Sequence, residues 1–379
     1  MTKSQLRLSG ARLVVVVCAA QTLVQIGAFF WPALLPEMMP LWGLTNSEAG
    51  WSTAMFYGAY LVAVPILVTL TDRVDARRVY LFGVACTMAA HLLFGLVAEG
   101  YWSVLLLRGL AGIGWAGTYM TGLKLLADQV DAKLMSRATA GHAVSIGISG
   151  ALSFACAELL SGVWGWQPAF LAAAATAVMA WLLVALLVPG RTTPFPRAAD
   201  GHALFDFSPV FRNRSAMAYA VAYCIHTLEM NALRGWGVAF LAYVAISTGA
   251  DMSFSPTFAL TALGVIGTCA SVLGNEAAIR WGRVRLITLA MLASIALSAG
   301  IGFFGTLSYT LAVLLRLIYG LVVWLDSSSL TAGAAGTAEP ARRGATLAVH
   351  SMLGYSGGFV GPLMIGYALD LSGGMSRTA

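Results

Sequence analysis

Apolar positions in this chain fall in long blocks, not at the spacing of two or of three and four that marks half-buried strands and helices. The blocks run over 13–36, 48–70, 79–98, 103–126, 138–161, 168–188, 215–247, 254–277, 286–305, 309–333 and 345–370. Each holds the roughly 20 residues that a helix needs to cross a hydrocarbon core, so the pattern predicts eleven transmembrane helices. The first block is too long for the core of a cleaved leader and reads as the first span. One polar stretch interrupts the series. It opens with Pro189-Gly-Arg-Thr-Thr-Pro-Phe-Pro-Arg197 and separates six spans from five. The expected organisation is a six-helix bundle over 1–188, a linker loop over 189–214 and a second bundle over 215–379.

Composition agrees with the pattern. Hydrophobic residues make up 59% of the 379 and charged residues 10%, where soluble domains carry about 25% charge. Soluble enzymes, secreted domains and disordered chains are thereby excluded. Five cysteines, each inside an apolar run and none at metal-ligand or redox spacing, read as small apolar filler.

The formal charge of +6 is topological. Of 22 basic residues, 17 lie before span 1 or after an even-numbered span, and only Arg377 lies in a segment on the other side. By the positive-inside rule the N-terminus and the 189–214 loop are cytoplasmic. No nucleic acid is needed to explain the charge. The expected setting is a cell membrane, a bacterial inner membrane in the first instance, crossed many times.

The two halves repeat. An offset of 208 lays Arg108 on Arg316, Gly112 on Gly320, His142 on His350 and Gly150 on Gly358. An offset of 205 lays Thr22-Leu23 on Thr227-Leu228 and Trp31 on Trp236. Six spans recur in the same sense, which is the parallel repeat of two transporter half-bundles. The repeat expects a twelfth span from about 376, where the chain has only four residues left, and a shortened gene product is the favoured reading.

Several motifs point to one family. The loop after span 2 carries Asp72, Arg73, Arg77 and Arg78. It resembles the loop signature of the major facilitator superfamily, with Val68 and Asp75 standing where that signature has glycine. Span 4 reads Arg108-Gly109-Leu-Ala-Gly112-Ile-Gly114-Trp-Ala116 and looks like the second superfamily signature. Gly165-Trp-Gln-Pro-Ala-Phe170 before span 6 is similar to a third. The span 5 antiporter signature is incomplete: Gly141, Gly147 and Gly150 are present without the expected Gly-Pro. The resemblance implies an all-α polytopic fold of two pseudo-symmetric bundles, alternating access by rocking about a central site, and the loop motif acting as a cytoplasmic latch.

Ionisable residues inside spans carry the functional expectation, because each costs a few kcal/mol in lipid and normally faces a cavity or a partner. Arg108, Arg316 and Arg234 are the expected binders of an anion, since a guanidinium stays charged and forks onto a carboxylate. Span 7 holds His226, Glu229, Asn231 and Arg234 within nine residues. At about 100° per residue, Glu229 and Arg234 flank one broad face with His226 between them. Glu229 is the leading proton carrier, with Asp326, His226 and Glu158 as further coupling candidates. Asp326 is expected to face His350 or Lys124. Trp31, Trp236 and Tyr119 are expected to line the path, and Pro32, Pro36, Pro65, Pro362 and the glycines at 354–361 to let helices bend.

No nucleotide loop, nucleophile triad, metal cluster or cofactor motif is present in the sequence, so an enzyme is not expected. The expected protein is a monomeric secondary transporter of a small organic or inorganic anion, driven by protons. A drug or metabolite exporter and a non-transporting remnant or sensor are the alternatives.

Overall fold

The structure, a computed structural model, describes residues 10–71, 73–190, 207–250, 254–339 and 343–375. Among them are fourteen helices and no strand. They are α1 (Gly10–Val24), α2 (Phe30–Trp42), α3 (Asn46–Leu70), α4 (Ala76–Val97), α5 (Tyr101–Ala127), α6 (Ala132–Trp164), α7 (Trp166–Leu187), α8 (Ser208–Arg212), α9 (Arg214–Thr248), α10 (Pro256–Trp281), α11 (Arg283–Phe304), α12 (Tyr309–Trp324), α13 (Ser327–Thr337) and α14 (Arg343–Leu371). All eleven apolar blocks are largely helical, nine of them without an internal break. Seven helical stretches are long and apolar enough to cross a membrane, Tyr309–Thr337 counting as one. The long helices outside that set are α5, α9 and α14, rich in polar residues or glycine. Most of the linker, and residues 376–379 where a twelfth span would begin, lie outside the described residues.

The helices form two compact units. Unit 1 comprises 1–30 and 58–205, and unit 2 comprises 31–57 and 206–379. The segment from Trp31 to Tyr57, which holds most of α2 and the start of α3, packs with the second unit.

Two of the predicted spans are broken. In the first, i to i+3 bonds replace the α-helical ladder between α1 and α2: Ala28 N donates to Gln25 O at 3.0 Å and Phe30 N to Gly27 O at 3.2 Å. Pro32 supplies the reason, because it has no N–H for the Ala28 carbonyl four residues back. Gly27 fits the turn for a second reason: a Cβ there would lie 2.6 Å from the His91 ring. The tenth span breaks between α12 and α13 at Leu325–Asp326, where an Asp-Ser-Ser-Ser run offers caps rather than helix interior.

The core of unit 1 is made by α1, α4, α5, α6 and α7, with Val17, Val24, Tyr80, Val84, Leu125 and Ala177 in one buried cluster. Unit 2 is centred on α9 and α14. Gly357 and Gly361 of α14 lie against the backbone of α9, where Cβ atoms would fall 2.0 Å from Cys224 O and 2.2 Å from Leu228 O. The glycine run expected to bend α14 instead brings two backbones together, the use small residues have inside membranes.

Candidate functional site

Most of the sequence-selected groups converge in unit 2. On α9, His226 is 2% exposed and its Nδ1 lies 2.8 Å from Oδ1 of Asp326. The break at 325–326 is what turns the aspartate toward α9, and its side chain makes no cap bond to α13. The expected partners of Asp326, His350 and Lys124, are engaged elsewhere. Lys124 pairs with Asp128 on its own helix. The His350 ring stacks on Tyr223 with centroids 4.2 Å apart, and its Nε2 is 3.2 Å from Thr331 Oγ1.

Glu229 is half-buried, one turn on from His226. Its Oε1 accepts from Tyr319 of α12 at 2.5 Å and from Ser294 of α11. Arg234 points to another side of α9, with its Cζ 4.7 Å from the ring centre of Trp324 and the hydroxyls of Tyr57, Tyr223 and Tyr355 within electrostatic reach. Glu229 and Arg234 therefore do not share one face. They sit about 140° apart around the helix, and each meets different neighbours.

Arg316 donates its Nη2 to the Leu233 carbonyl and lies 5.6 Å from the Phe240 ring centre. Its mirror, Arg108 in unit 1, donates Nη1 to the Ala28 carbonyl at 3.1 Å. Leu233 and Ala28 are related by the offset of 205, and the two arginines by 208. The repeat read from the sequence is thus repeated in a side-chain contact, and both arginines spend a donor on their own unit. The repeat-related tryptophans do likewise. Trp31 Nε1 donates to Thr53 Oγ1 at 3.0 Å and Trp236 Nε1 to Pro362 O at 2.8 Å, both within unit 2.

A cavity of about 840 Å³ lies in unit 2, walled by α9, α11 and α14 over a floor of α12. His226, Glu229, Arg316, Tyr319 and Asp326 all line it, among apolar residues such as Ile225, Met291 and Met364.

The remaining candidates belong to unit 1. Tyr119 stacks on His142 with centroids 6.2 Å apart. Glu158 is half-buried on α6. In the loop motif Asp72 lies outside the described residues, and Arg73 and Arg78 are exposed. Arg77 caps the end of α7, its Nη2 reaching Ala185 O at 2.5 Å, a favourable place for a cation. Asp75, where the family signature has glycine, caps α4 by accepting from Arg77 N at 3.0 Å.

Sequence reasoning misses several members of these clusters. Gln21 of α1 and Gln25 in the turn that follows it, four residues apart and both buried, accept from Tyr80 at 3.0 Å and from Ser149 at 3.1 Å. An i, i+4 glutamine pair in an apolar block is the signal that marks them. Ser294 and Tyr319 carry none, being ordinary residues in transmembrane helices. Among the described residues no group of His, Cys, Asp and Glu could hold a metal.

Comparison with known proteins agrees with the architecture. The sequence model of the Major Facilitator Superfamily matches residues 16–362. Protein spinster homolog 1 of Homo sapiens is 25% identical over 267 residues, 68% of this chain and 47% of that protein. The sphingosine-1-phosphate transporter SPNS2 of Mus musculus is 23% identical over 363 residues, 89% of this chain and 66% of that one. The chain spans about half the length of the spinster homolog 1 relatives it matches. Among solved structures, an inward-facing, unoccupied bacterial homologue of the human lysosomal transporter spinster superimposes with a TM-score of 0.80 at 14% identity, covering 95% of this chain and 82% of that one. The nucleoside transporter NupG gives 0.77 at 16%, covering 95% and 92%. At these identities the structures speak for the fold alone.

Proposed function

This chain belongs to the Major Facilitator Superfamily, and from that premise we propose that it is a proton-coupled secondary transporter of a small organic anion with an apolar body. It is a multi-pass membrane protein of a transporter family, not an enzyme. The observation that carries the finer reading is the division of labour on α9. Arg234, a cation set over the Trp324 ring and within electrostatic reach of three tyrosine hydroxyls, offers the charge and the aromatic surface that an anion with an apolar body needs. Glu229 and His226 on the same helix, with Asp326 reaching His226 from the break between α12 and α13, are half or fully buried and offer groups able to hold and release a proton. The name of the SPNS2 relative, a phosphorylated amphiphile's transporter, lends support to an anionic head on an apolar body. Arg108 and Arg316 hold helices in this reading and leave the anion to Arg234.

In the same proposal the halves 1–188 and 215–379 alternate as two bodies joined by the 189–214 linker, with the N-terminus on the cytoplasmic side of a cell membrane and a monomer as the working unit.

The test is uptake of a panel of labelled organic anions into proteoliposomes, with and without an inward-acid gradient. Arg234→Ala is expected to cut gradient-driven uptake at least tenfold. Glu229→Gln is expected to abolish the effect of the gradient while leaving anion exchange at equilibrium. Uptake indifferent to the gradient in the unaltered protein would remove proton coupling, and uptake unaffected by Arg234→Ala would remove the anion site.

A further inference from the structure

The first turn of α3 is only half capped from within. Thr45 and Glu48, three residues apart, form a reciprocal box: the backbone N–H of Thr45 donates to Glu48 Oε2 at 2.9 Å, and that of Glu48 to Thr45 Oγ1 at 3.2 Å. A helix start also leaves its first N–H groups without a partner in the helix. In α3 these belong to Asn46 and Ser47, and one side chain more than 300 residues on takes both. Asp370 of α14 accepts on Oδ1 from Asn46 N at 3.1 Å and Asn46 Nδ2 at 2.8 Å, and on Oδ2 from Ser47 N at 2.8 Å. A carboxylate at a helix N-terminus is favoured by the helix dipole as well as by the N–H groups. All three bonds are exposed, so water can replace either partner when they part.

Below this contact α3 meets its neighbours in unit 2 through glycines. A Cβ on Gly50 of α3 would lie 2.9 Å from Pro362 O, one on Gly366 of α14 2.5 Å from Asn46 O, and one on Gly235 of α9 3.1 Å from the Thr53 methyl. Trp51 donates Nε1 to the Tyr367 hydroxyl at 3.0 Å and stands edge-on to Phe359, with centroids 5.8 Å apart. Contacts of bare backbone interlock few side chains, so they separate without emptying a pocket. The segment fastened in this way, 31–57, is joined to unit 1 by the chain at both ends: through the tightened turn at 25–29, and through α3 beyond Tyr57. It is a strap, and its fastening in unit 2 is polar and exposed at the Asn46 end.

We propose that Asp370 and the first turn of α3 form a clasp that opens and recloses in the folded protein, freeing the Asn46 end of the 31–57 strap from α14 and α9. On opening, water takes up the carboxylate and the two N–H groups. On closing, the dipole and the paired donors recapture the carboxylate in one register. In the transport cycle proposed above, the clasp governs how readily the strap leaves unit 2. That consequence rests on the transporter reading, whereas the clasp and its opening do not.

Thiol labelling tests it. Thr53 is 3% exposed and lies against Gly235 of α9, so a cysteine there is reached only when the strap lifts. The full chain carrying Thr53→Cys, in lipid nanodiscs, is treated with a sulfonated, water-soluble maleimide, and peptide mass spectrometry reads position 53 apart from the native cysteines. Slow labelling is expected with Asp370 intact. Adding Asp370→Ala should raise the rate about tenfold, and Asp370→Asn, which keeps an acceptor oxygen but no charge, should raise it less. Glu37→Gln, at an exposed carboxylate of the same strap, should leave the rate unchanged. Labelling of Cys86 and Cys156 in unit 1 should not differ between variants, which marks the opening as local, and thermal unfolding reports that each variant is folded. In the chain without the introduced cysteine, hydrogen exchange at the Asn46 and Ser47 amides should quicken by a similar factor in Asp370→Ala. Unchanged labelling and exchange in folded Asp370→Ala would overturn the proposal. So would a position 53 that stays unlabelled in every variant while exposed Cys269 reacts, the mark of a fixed helix cap. No solute or gradient enters these measurements, so their failure is distinct from a failure of the flux assay.

Discussion

In unit 1 the guanidinium of Arg108 reaches a carbonyl that Pro32 leaves without its helical donor, whereas in unit 2 that of Arg316 reaches a carbonyl laid open by the bare backbone of Gly237. Pro32 and Gly237 are themselves repeat partners at the offset of 205. One half of the molecule thus obtains the contact by removing an N–H, and its first span splits into α1 and α2. The other obtains it by removing a Cβ, and α9 continues unbroken through 35 residues. The difference teaches that the repeat preserves an interaction rather than a helix shape. It also explains why the break in unit 2 is free to fall elsewhere, at Leu325–Asp326, where it aims a carboxylate at His226.

The comparison can be broken most severely at Gly237. A Cβ there would fall 2.4 Å from Arg316 Nη2. Gly237→Leu should therefore overpack the site and displace a buried charge, at a cost of about 3–5 kcal/mol. Loss of folded protein, or a large drop in the thermal midpoint in detergent, is the expected reading.

The next test is the asymmetry of the two arginines. Arg108→Met leaves the buried Ala28 carbonyl with no donor and should cost about 1–3 kcal/mol. Arg316→Met leaves Leu233 O its helical donor from Gly237 and should stay within about 1 kcal/mol of the unaltered protein. Equal losses in matched unfolding experiments would refute the account of Pro32. A sharper version adds Pro32→Ala, which restores an N–H for Ala28 O. The double variant should recover about 1 kcal/mol of the Arg108→Met loss, read as the coupling term of the cycle. The smallest effect is expected from Tyr319→Phe, which removes one hydrogen bond to Glu229 and should lower stability by about 1 kcal/mol while leaving the Arg108 contact untouched.

Much of this architecture is legible in the amino-acid sequence. Lipid forces its signal into blocks of apolar residues, so the helical spans can be read directly, and charged residues are rare enough in them that Arg108 and Arg316 announce the repeat. The breaks are hidden because a tightened turn of Gln25 to Phe29 stays within an apolar block, and Pro32 acts on a carbonyl four residues earlier. Pairings between helices are less accessible still. The helical wheel places Glu229 and Arg234 correctly around α9, but it says nothing of which neighbour stands at each angle. Hence Asp326 reads as a partner of His350 or Lys124, whereas it pairs with His226. The glycines at 354–361 are visible, yet flexibility and close packing leave the same mark in a sequence.

The backbone contact between α14 and α9 has a consequence for biosynthesis. Thr227 Oγ1 donates to Gly354 O, 127 residues later in the chain. At a synthesis rate of about 5–20 residues per second, α9 waits roughly 6–25 seconds after leaving the ribosome before the helix that grips it exists. Throughout that interval the polar side chains of Thr227, Asn231 and Arg234 must be kept from lipid by the membrane-insertion machinery or by one another, so α9 is the segment whose delayed release would limit the yield of assembled protein.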